Sequence, residues 1–363
     1  MYKIGRGVLM VEPKGNVSRV GEACLFRLKN GTIMMVYNEF CTADAEDNGE
    51  ARLIALYSHD EGETWGEKRI LMERPEDALN LMNASLIYMN NGDIGLFYLC
   101  KYQEDGLVYD DLVLRRSTDE GLTWSESTVC NTRKGYFVKN PGRVIRLSGG
   151  RIVIPVADHS PDKAQGKSTP GVVFALYSDD DGVTWQESQK LYQPFGNSPA
   201  GLCEPGVYEK ENGDLYMYIR TDLGFQFEST SHDKGQTWSA IQPNFVFASP
   251  NSPMTLRKFG NKTVGFFNPI QESLYMWNEH DLFRKSNRTP LLAVVSEDDG
   301  ETYGWGYYLE DDWSNVYSYV DTVEGEDYFL AAYYHSNDTM QQLHSLKVLK
   351  VMYSELENRY QDE

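Results

Sequence analysis

In "CEPGVYEKENGDLYMYIRT" the turn is built on Asn-Gly and centred near position 212. Residues facing each other across an antiparallel hairpin sum to twice the turn centre, so Glu204 is expected opposite Arg220. A carboxylate would then sit beside a guanidinium at the open end of a hairpin. The same arithmetic sets Glu22 opposite Asn38, Asn140 opposite His159, and Tyr317 opposite Tyr333. Glu22, Asn83, Asn140, Glu204, Asn251 and Tyr317 all open hairpins, and each carries a polar group. Asp47 in "DNGEARLIALYS" and Arg288 in "NRTPLLAVVS" stand in loops that lead to a following strand. His159 and Lys163 lie in the loop "ADHSPDK". Gathered at one mouth, these groups suit a polar, anionic small molecule. Guanidinium groups would hold the anion, while carboxyl and phenol groups could move protons. Tyr98, Tyr102 and Phe225 could add faces for a sugar to stack on. An isolated surface ion pair is worth little, so the reading depends on what brings the residues together.

The positioning elements are legible as a repeat. "YSHDEGETW", "RSTDEGLTW", "YSDDDGVTW", "TSHDKGQTW" and "VSEDDGETY" all read S-x-D-x-G-x-T-W/Y, starting at Ser58, Ser117, Ser178, Ser231 and Ser296. A hairpin with Asn-Gly, Gly-Gly or another Gly-containing turn precedes each copy. An apolar third strand follows, as in "ARLIALYS" or "GVVFALYS", then the Asp-containing turn and a short fourth strand. Four antiparallel strands per unit predict an all-β fold, a six-bladed β-propeller forming one domain over 1–363. The last unit, at 315–350, lacks the turn motif and is expected to be completed by the N-terminal strand near "GVLMVE". In each turn the Asp can accept backbone N–H groups and the Gly can take a left-handed conformation. The aromatic residue can pack between neighbouring blades. Asp60, Asp119, Asp180, Asp233 and Asp298 are therefore read as turn formers, on the face opposite the hairpin openings, and not as catalytic or calcium-binding groups.

Composition narrows the function classes. The formal net charge of −20 argues against nucleic acid and anionic membrane surfaces as partners. The five cysteines are scattered and lack metal-ligand spacing, so they read as core residues, not as a disulfide framework or zinc site. No apolar run is long enough for a membrane-spanning helix, and "MYKIGRGVLMVE" contains no leader-like apolar stretch. The expected compartment is the cytoplasm, or the exterior or periplasm after loss of a signal peptide. Nothing in the sequence fixes an oligomeric state.

The repeated turns resemble the Asp boxes (BNR repeats) of the sialidase superfamily, and the resemblance covers nearly the whole chain. It implies an exo-acting glycoside hydrolase for a non-reducing-end sugar, sialic acid or a related acidic sugar, with no cofactor or metal. Asp47, eleven residues before Ser58, matches the family's leaving-group acid. Glu204 matches the Glu that activates a Tyr nucleophile, and Arg220 and Arg288 match two carboxylate-binding arginines. Tyr317 fits the nucleophile, with Tyr319 as rival one strand step away on the same face. Glu22, Asn83, Asn140 and His159 would contribute to the substrate cup. Two positions depart from the pattern. Where the family has a first Arg in "R-I-P", this chain reads Gly21-Glu22-Ala23 with only Arg19 near. Asn83 stands where an Asp is usual. The run "RVIRL…GGRIVIP" over 143–155 is similar to a sialidase-like branch not tied to one substrate. Two other readings remain open at this level. One is another propeller carbohydrate enzyme, such as a polysaccharide lyase or a different glycosidase, using Tyr317 or His159 for proton transfer. The other is a non-catalytic glycan-binding propeller.

Overall fold

The computed structural model describes residues 1–363 except 43–45, 163–166, 169, 194–197, 270–287, 305, 338–342 and 358–363. The regular elements among the described residues are strands, apart from one short 3-10 turn at Tyr353–Leu356, as the alternating apolar segments and glycine turns require. Neighbouring units meet through their opening, inner strands: Arg19–Arg27 touches Ala78–Tyr88 and Asn315–Glu324, and Thr255–Phe259 touches Cys203–Glu209 and Asn315–Glu324.

The expectation of a six-bladed propeller is corrected by the sheet order. Four blade-like sheets stand separately, three of four strands and one of five, beside an eight-stranded sheet and a two-stranded ribbon. In the eight-stranded sheet the first two hairpin units run together. The physical link is a parallel pairing of Ala51 with Asn80. It is reinforced by the Asn80 side-chain amide, which donates to the carbonyls of Asp47 (2.8 Å) and Gly49 (3.0 Å). The five-stranded sheet arises because the third unit's inner strand is broken. Phe137–Val138 and Ile145–Arg146 pair separately with Ile152–Asp158, and Asn140-Pro141-Gly142 lies in the gap. The N-terminal strand Arg6–Val11 does complete the last sheet, pairing with Ser345–Met352.

Register fixes which end of each unit faces which way. In the first unit Arg27 pairs with Ile33 and Ile33 with Ser58, while Gly21 pairs with Asn38 and Asn38 with Leu53. The Asp-box turn and the hairpin opening therefore lie at opposite ends of the same sheet. The fourth unit repeats this, with Leu215 opposite Ser231 at one end and Cys203 opposite Arg220 at the other.

The boxes behave as turn formers. Asp60 accepts from Ser58 Oγ (2.9 Å), from Thr64 N (2.8 Å) and from Thr64 Oγ1 (2.5 Å), and the Ser58 hydroxyl in turn accepts Gly62 N–H (2.9 Å). The Thr64 hydrogen bonds hold the Asp60 carboxyl down at about 2. The residue after each box Asp is also left-handed, with φ between 57° and 61° for Glu61, Glu120, Asp181, Lys234 and Asp299. A Cβ on Gly62 would lie 2.5 Å from Leu330 of the last unit, and one on Gly182 would lie 2.9 Å from Leu114 of the second unit. Each of these turns is thus pressed against the preceding unit, where a side chain would collide. Trp185 also meets Phe97 edge-on across that boundary, at 6.1 Å. Cys24, Cys100, Cys130 and Cys203 are buried as free thiols.

Candidate active site

The hairpin openings share one local device. At Gly21/Cys24, Met82/Ser85, Cys203/Gly206 and Ser318/Asp321 the register slips, three residues on the inner strand spanning two on its partner. Each slip holds a non-glycine residue in left-handed backbone: Glu22 (φ 56°), Asn83 (φ 60°), Glu204 (φ 44°) and Tyr319 (φ 60°). A bulge of this kind re-aims a side chain out of the regular alternation. Each such residue costs about 1 kcal/mol or more of backbone strain, and such strain gathers at functional sites.

Glu204 is the centre of the resulting cluster. Its carboxylate accepts from Arg220 Nη1 at 2.7 Å, from the Tyr319 hydroxyl at 2.8 Å and from Asn140 Nδ2 at 3.5 Å. The register sets Cys203, not Glu204, opposite Arg220, yet the bulge still delivers Glu204 to the guanidinium. Arg220 Nη1 also donates to the Tyr319 oxygen at 3.4 Å, and its Nε donates to Asn251 Oδ1 at 2.7 Å. Arg288 donates to the Asn251 carbonyl at 3.2 Å and lies over the Tyr319 ring, 5.7 Å from its centroid. Burial opposes ionisation of Glu204, but Arg220, Arg288 and the Tyr319 hydroxyl outweigh it and hold the carboxyl below its ordinary range. Burial, and then the Glu204 charge, pushes the Tyr319 phenol up, so it is neutral in the resting site. Burial and the neighbouring Arg220 charge lower Arg288.

A second polar group lies beside the first. Arg19 is 3% exposed and carries the guanidinium that the expected "R-I-P" position lacked. It donates to Asp47 Oδ1 at 2.7 Å, to Glu22 Oε1 at 3.2 Å and to the Tyr334 hydroxyl at 3.0 Å, with its guanidinium 4.0 Å from the Phe40 ring centroid. Gly21-Glu22-Ala23 itself holds no arginine, and the guanidinium beside Glu22 and Asp47 comes from Arg19, two residues before Gly21. Glu22 is held by Arg19 and by Asn38 Nδ2. Burial first, and then Asp47 and Glu204, raise its carboxyl to about 7 against the pull of Arg19 and Lys101. The Tyr334 ring stands 5.7 Å from Tyr319, joining the two groups. Lys101, also missed in the sequence, donates to the Asp47 carbonyl at 3.2 Å and to Asn48 Oδ1 at 3.3 Å.

Tyr317 does not face Glu204. It pairs with His335, not with Tyr333 as expected, and is fully buried in an apolar cluster, its hydroxyl donating to the Asp312 carbonyl at 3.2 Å. Tyr317 and Tyr319 would share a face in a regular strand; the left-handed backbone at Tyr319 separates them. His159 is not opposite Asn140. The register runs Phe137 to Asp158, the His159 amide bonds the Tyr136 carbonyl at 2.8 Å, and the imidazole packs over Gly171. Asn83 sits on its bulge, with its carbonyl accepting from the buried Lys139. Lys163 lies outside the described residues. Tyr98 is buried with its hydroxyl on Arg115, Tyr102 stacks on Tyr109, and Phe225 meets Phe245, so these rings are packing residues.

Asp-box turns at one end and a cup of bulged inner-strand residues at the other define a class, the sialidase-like propeller proteins. Residues 31–335 match the family described as BNR repeat-like domain, and the chain belongs to that family. Among curated proteins it is similar to a sialidase of Clostridium perfringens, 23% identical over 320 residues, or 77% of this chain and 80% of that protein. It is also similar to the anhydrosialidase of Macrobdella decora, 31% identical over 141 residues, or 36% of this chain. A sialidase of Paraclostridium sordellii is 25% identical over 60% of this chain. The chain spans 17% of the Macrobdella protein's length and 56% of the Paraclostridium protein's. Among solved structures, a leech intramolecular trans-sialidase complexed with 2,7-anhydro-Neu5Ac superposes with a TM-score of 0.74 at 15% identity, covering 98% of this chain and 71% of that one. A protein of unknown function from Dyadobacter fermentans does so at 0.71 and 18% identity, covering 95% and 99%. Likeness at these identities speaks to the fold.

Proposed function

We propose that the protein is a retaining exo-glycosidase acting on a terminal acidic sugar of the sialic acid class, with Tyr319 as nucleophile. The observation that carries this is the Tyr319–Glu204–Arg220 contact set, in which a neutral phenol donates to a buried carboxylate at 2.8 Å. A phenolate would repel an anionic sugar, whereas a neutral phenol that loses its proton to Glu204 as it attacks does not. Arg19, Arg220 and Arg288 would hold the sugar's carboxylate. Asp47 would give a proton to the leaving oxygen as the glycosidic bond breaks. The Tyr319 oxygen then bonds the anomeric carbon and its proton passes to Glu204. In the second half, Asp47 takes a proton from water, water displaces Tyr319, and Glu204 returns the proton. The side-chain oxygens of Asn38, Asn83 and Asn140 are buried and without a hydrogen-bond partner among the described residues, which suits a hydroxyl-bearing ligand. The names of the relatives support the same substrate class.

The test is incubation with a panel of sialylated glycans and neutral aryl glycosides while released sugar is monitored. Release from sialosides is expected. Release from neutral glycosides alone would move the substrate, and release from none by folded protein would overturn the hydrolase reading.

A further inference from the structure

Of the three partners described for Arg19, Glu22 and Tyr334 are buried, while the Asp47 side chain is 62% exposed. The ion pair from Arg19 Nη1 to Asp47 Oδ1 is 2.7 Å long, so the buried guanidinium is tied to a carboxylate that solvent reaches. The Asp47 backbone is not free to follow its side chain. Its carbonyl is held by Asn80 Nδ2 at 2.8 Å and by Lys101 Nζ at 3.2 Å, both from the second hairpin unit. A carboxylate arriving at Arg19 therefore meets a side chain that can rotate away on a fixed hinge.

We propose that Asp47 is a built-in placeholder for the substrate's carboxylate. In the empty site it occupies Arg19, and an anionic ligand must displace it there. While bonded to Arg19, the Asp47 carboxyl serves as an acceptor aimed at the guanidinium, away from any leaving group. Displacement turns the carboxylate outward, where it takes a proton from water and faces the place where a leaving oxygen would stand. Recognition of the sugar's charge and delivery of the acid become one event, and a neutral sugar, which cannot take Arg19, leaves the acid parked. This couples specificity to catalysis through a side-chain rotation, and it rests on the anionic-sugar reading above. A ligand whose competent site is partly self-occupied binds more weakly by the fraction occupied.

The test is calorimetric binding of two probes to the wild-type chain, Asp47→Asn and Asp47→Ala. One probe is a 2,3-unsaturated sialic acid analogue, which lacks a leaving group, and the other is its methyl ester. With the competitor removed, the carboxylate probe should bind Asp47→Ala at least about threefold more tightly, as expected for release of one partly exposed ion pair. Asp47→Asn should fall between the two, and the ester should gain nothing. Equal or weaker binding of the carboxylate probe by Asp47→Ala overturns the placeholder while leaving the proposed function standing. An equal gain for both probes overturns it as well, because the charge would then play no part. Failure of all three proteins to bind the carboxylate probe overturns the anionic-sugar reading, and the placeholder with it.

Discussion

Replacing Tyr319 with Phe, beside the matched change at Tyr317, separates two hydroxyls that lie two positions apart in the chain. Tyr319→Phe removes the donor that meets Glu204 at 2.8 Å and the acceptor that meets Arg220 at 3.4 Å. A hydrogen bond to a charged group is worth roughly 1.5–3 kcal/mol. Arg220 and Asn140 still satisfy the Glu204 carboxylate, and the ring and its left-handed backbone are unchanged, so the lower end of that range applies. For a chain of this length one kcal/mol corresponds to about 1.3 °C in Tm, so the melting point should fall by about 2 °C. Turnover of an aryl sialoside should fall on the order of 10³-fold or more, because the attacking atom is gone. Tyr317→Phe removes one bond, to the Asp312 carbonyl at 3.2 Å, worth about 1 kcal/mol. Its melting point should fall by about 1.3 °C, and its turnover should stay within about twofold. Fluorogenic release and thermal melts on both variants make the comparison. Near-wild-type turnover by Tyr319→Phe, or a large loss in Tyr317→Phe, would refute the assignment of the two tyrosines.

Glu22 should make anion binding pH-dependent. Its carboxyl titrates near 7, facing Arg19, Asn38, Asp47, Lys101, Glu204 and Tyr334. Affinity for a carboxylate ligand should therefore fall as the pH rises through 7 and Glu22 gains a charge, and Glu22→Gln should flatten that slope; an unchanged slope in the variant excludes Glu22 as the titrating group. Because the folded state prefers protonated Glu22, its contribution to stability is largest below the ordinary carboxylate pKa and is lost as the pH climbs to about 7, which pH-dependent melts of the same two proteins would read. Gly62→Ala should destabilise the fold by about 1–3 kcal/mol, since φ is +83° and the new methyl would lie 2.5 Å from Leu330. Its activity in the cold should survive, the turn being at the end of the sheet opposite the cup; a melt equal to wild type would remove the turn's proposed packing role.

Much of the fold was legible because its signals are local. The Asp-box turn is specified by five residue types at fixed spacing, and hairpin turns by Asn-Gly and Gly-Gly. What the repeats did not disclose was how units join. Ala51 and Asn80 pair through a parallel bridge and an amide-to-carbonyl contact, a tertiary event with no periodic trace, and it makes one sheet of two expected blades. The site shows the same division. Glu204 beside Arg220, with Arg288 near, followed from hairpin arithmetic because one extra residue on the inner strand displaces the partner by only one place. Tyr317 was misplaced by that same extra residue, since a bulge reverses which side chains face the axis. His159 was misjudged because the third unit's inner strand is broken at Asn140-Pro141-Gly142, where a ladder sum has no meaning.

The assignment of Tyr319 as nucleophile is tested most directly by trapping. A fluorinated sialosyl fluoride, whose electron-poor ring slows both steps while its fluoride leaving group keeps formation of a glycosyl-enzyme faster than its release, would be incubated with the wild-type chain. Intact-mass and peptide mass spectrometry would then follow. One added sugar mass is expected, located on Tyr319 and missing from Tyr319→Phe. Label on Tyr317 or on a carboxylate, or sialoside turnover with no trapped adduct on Tyr319, would contradict it.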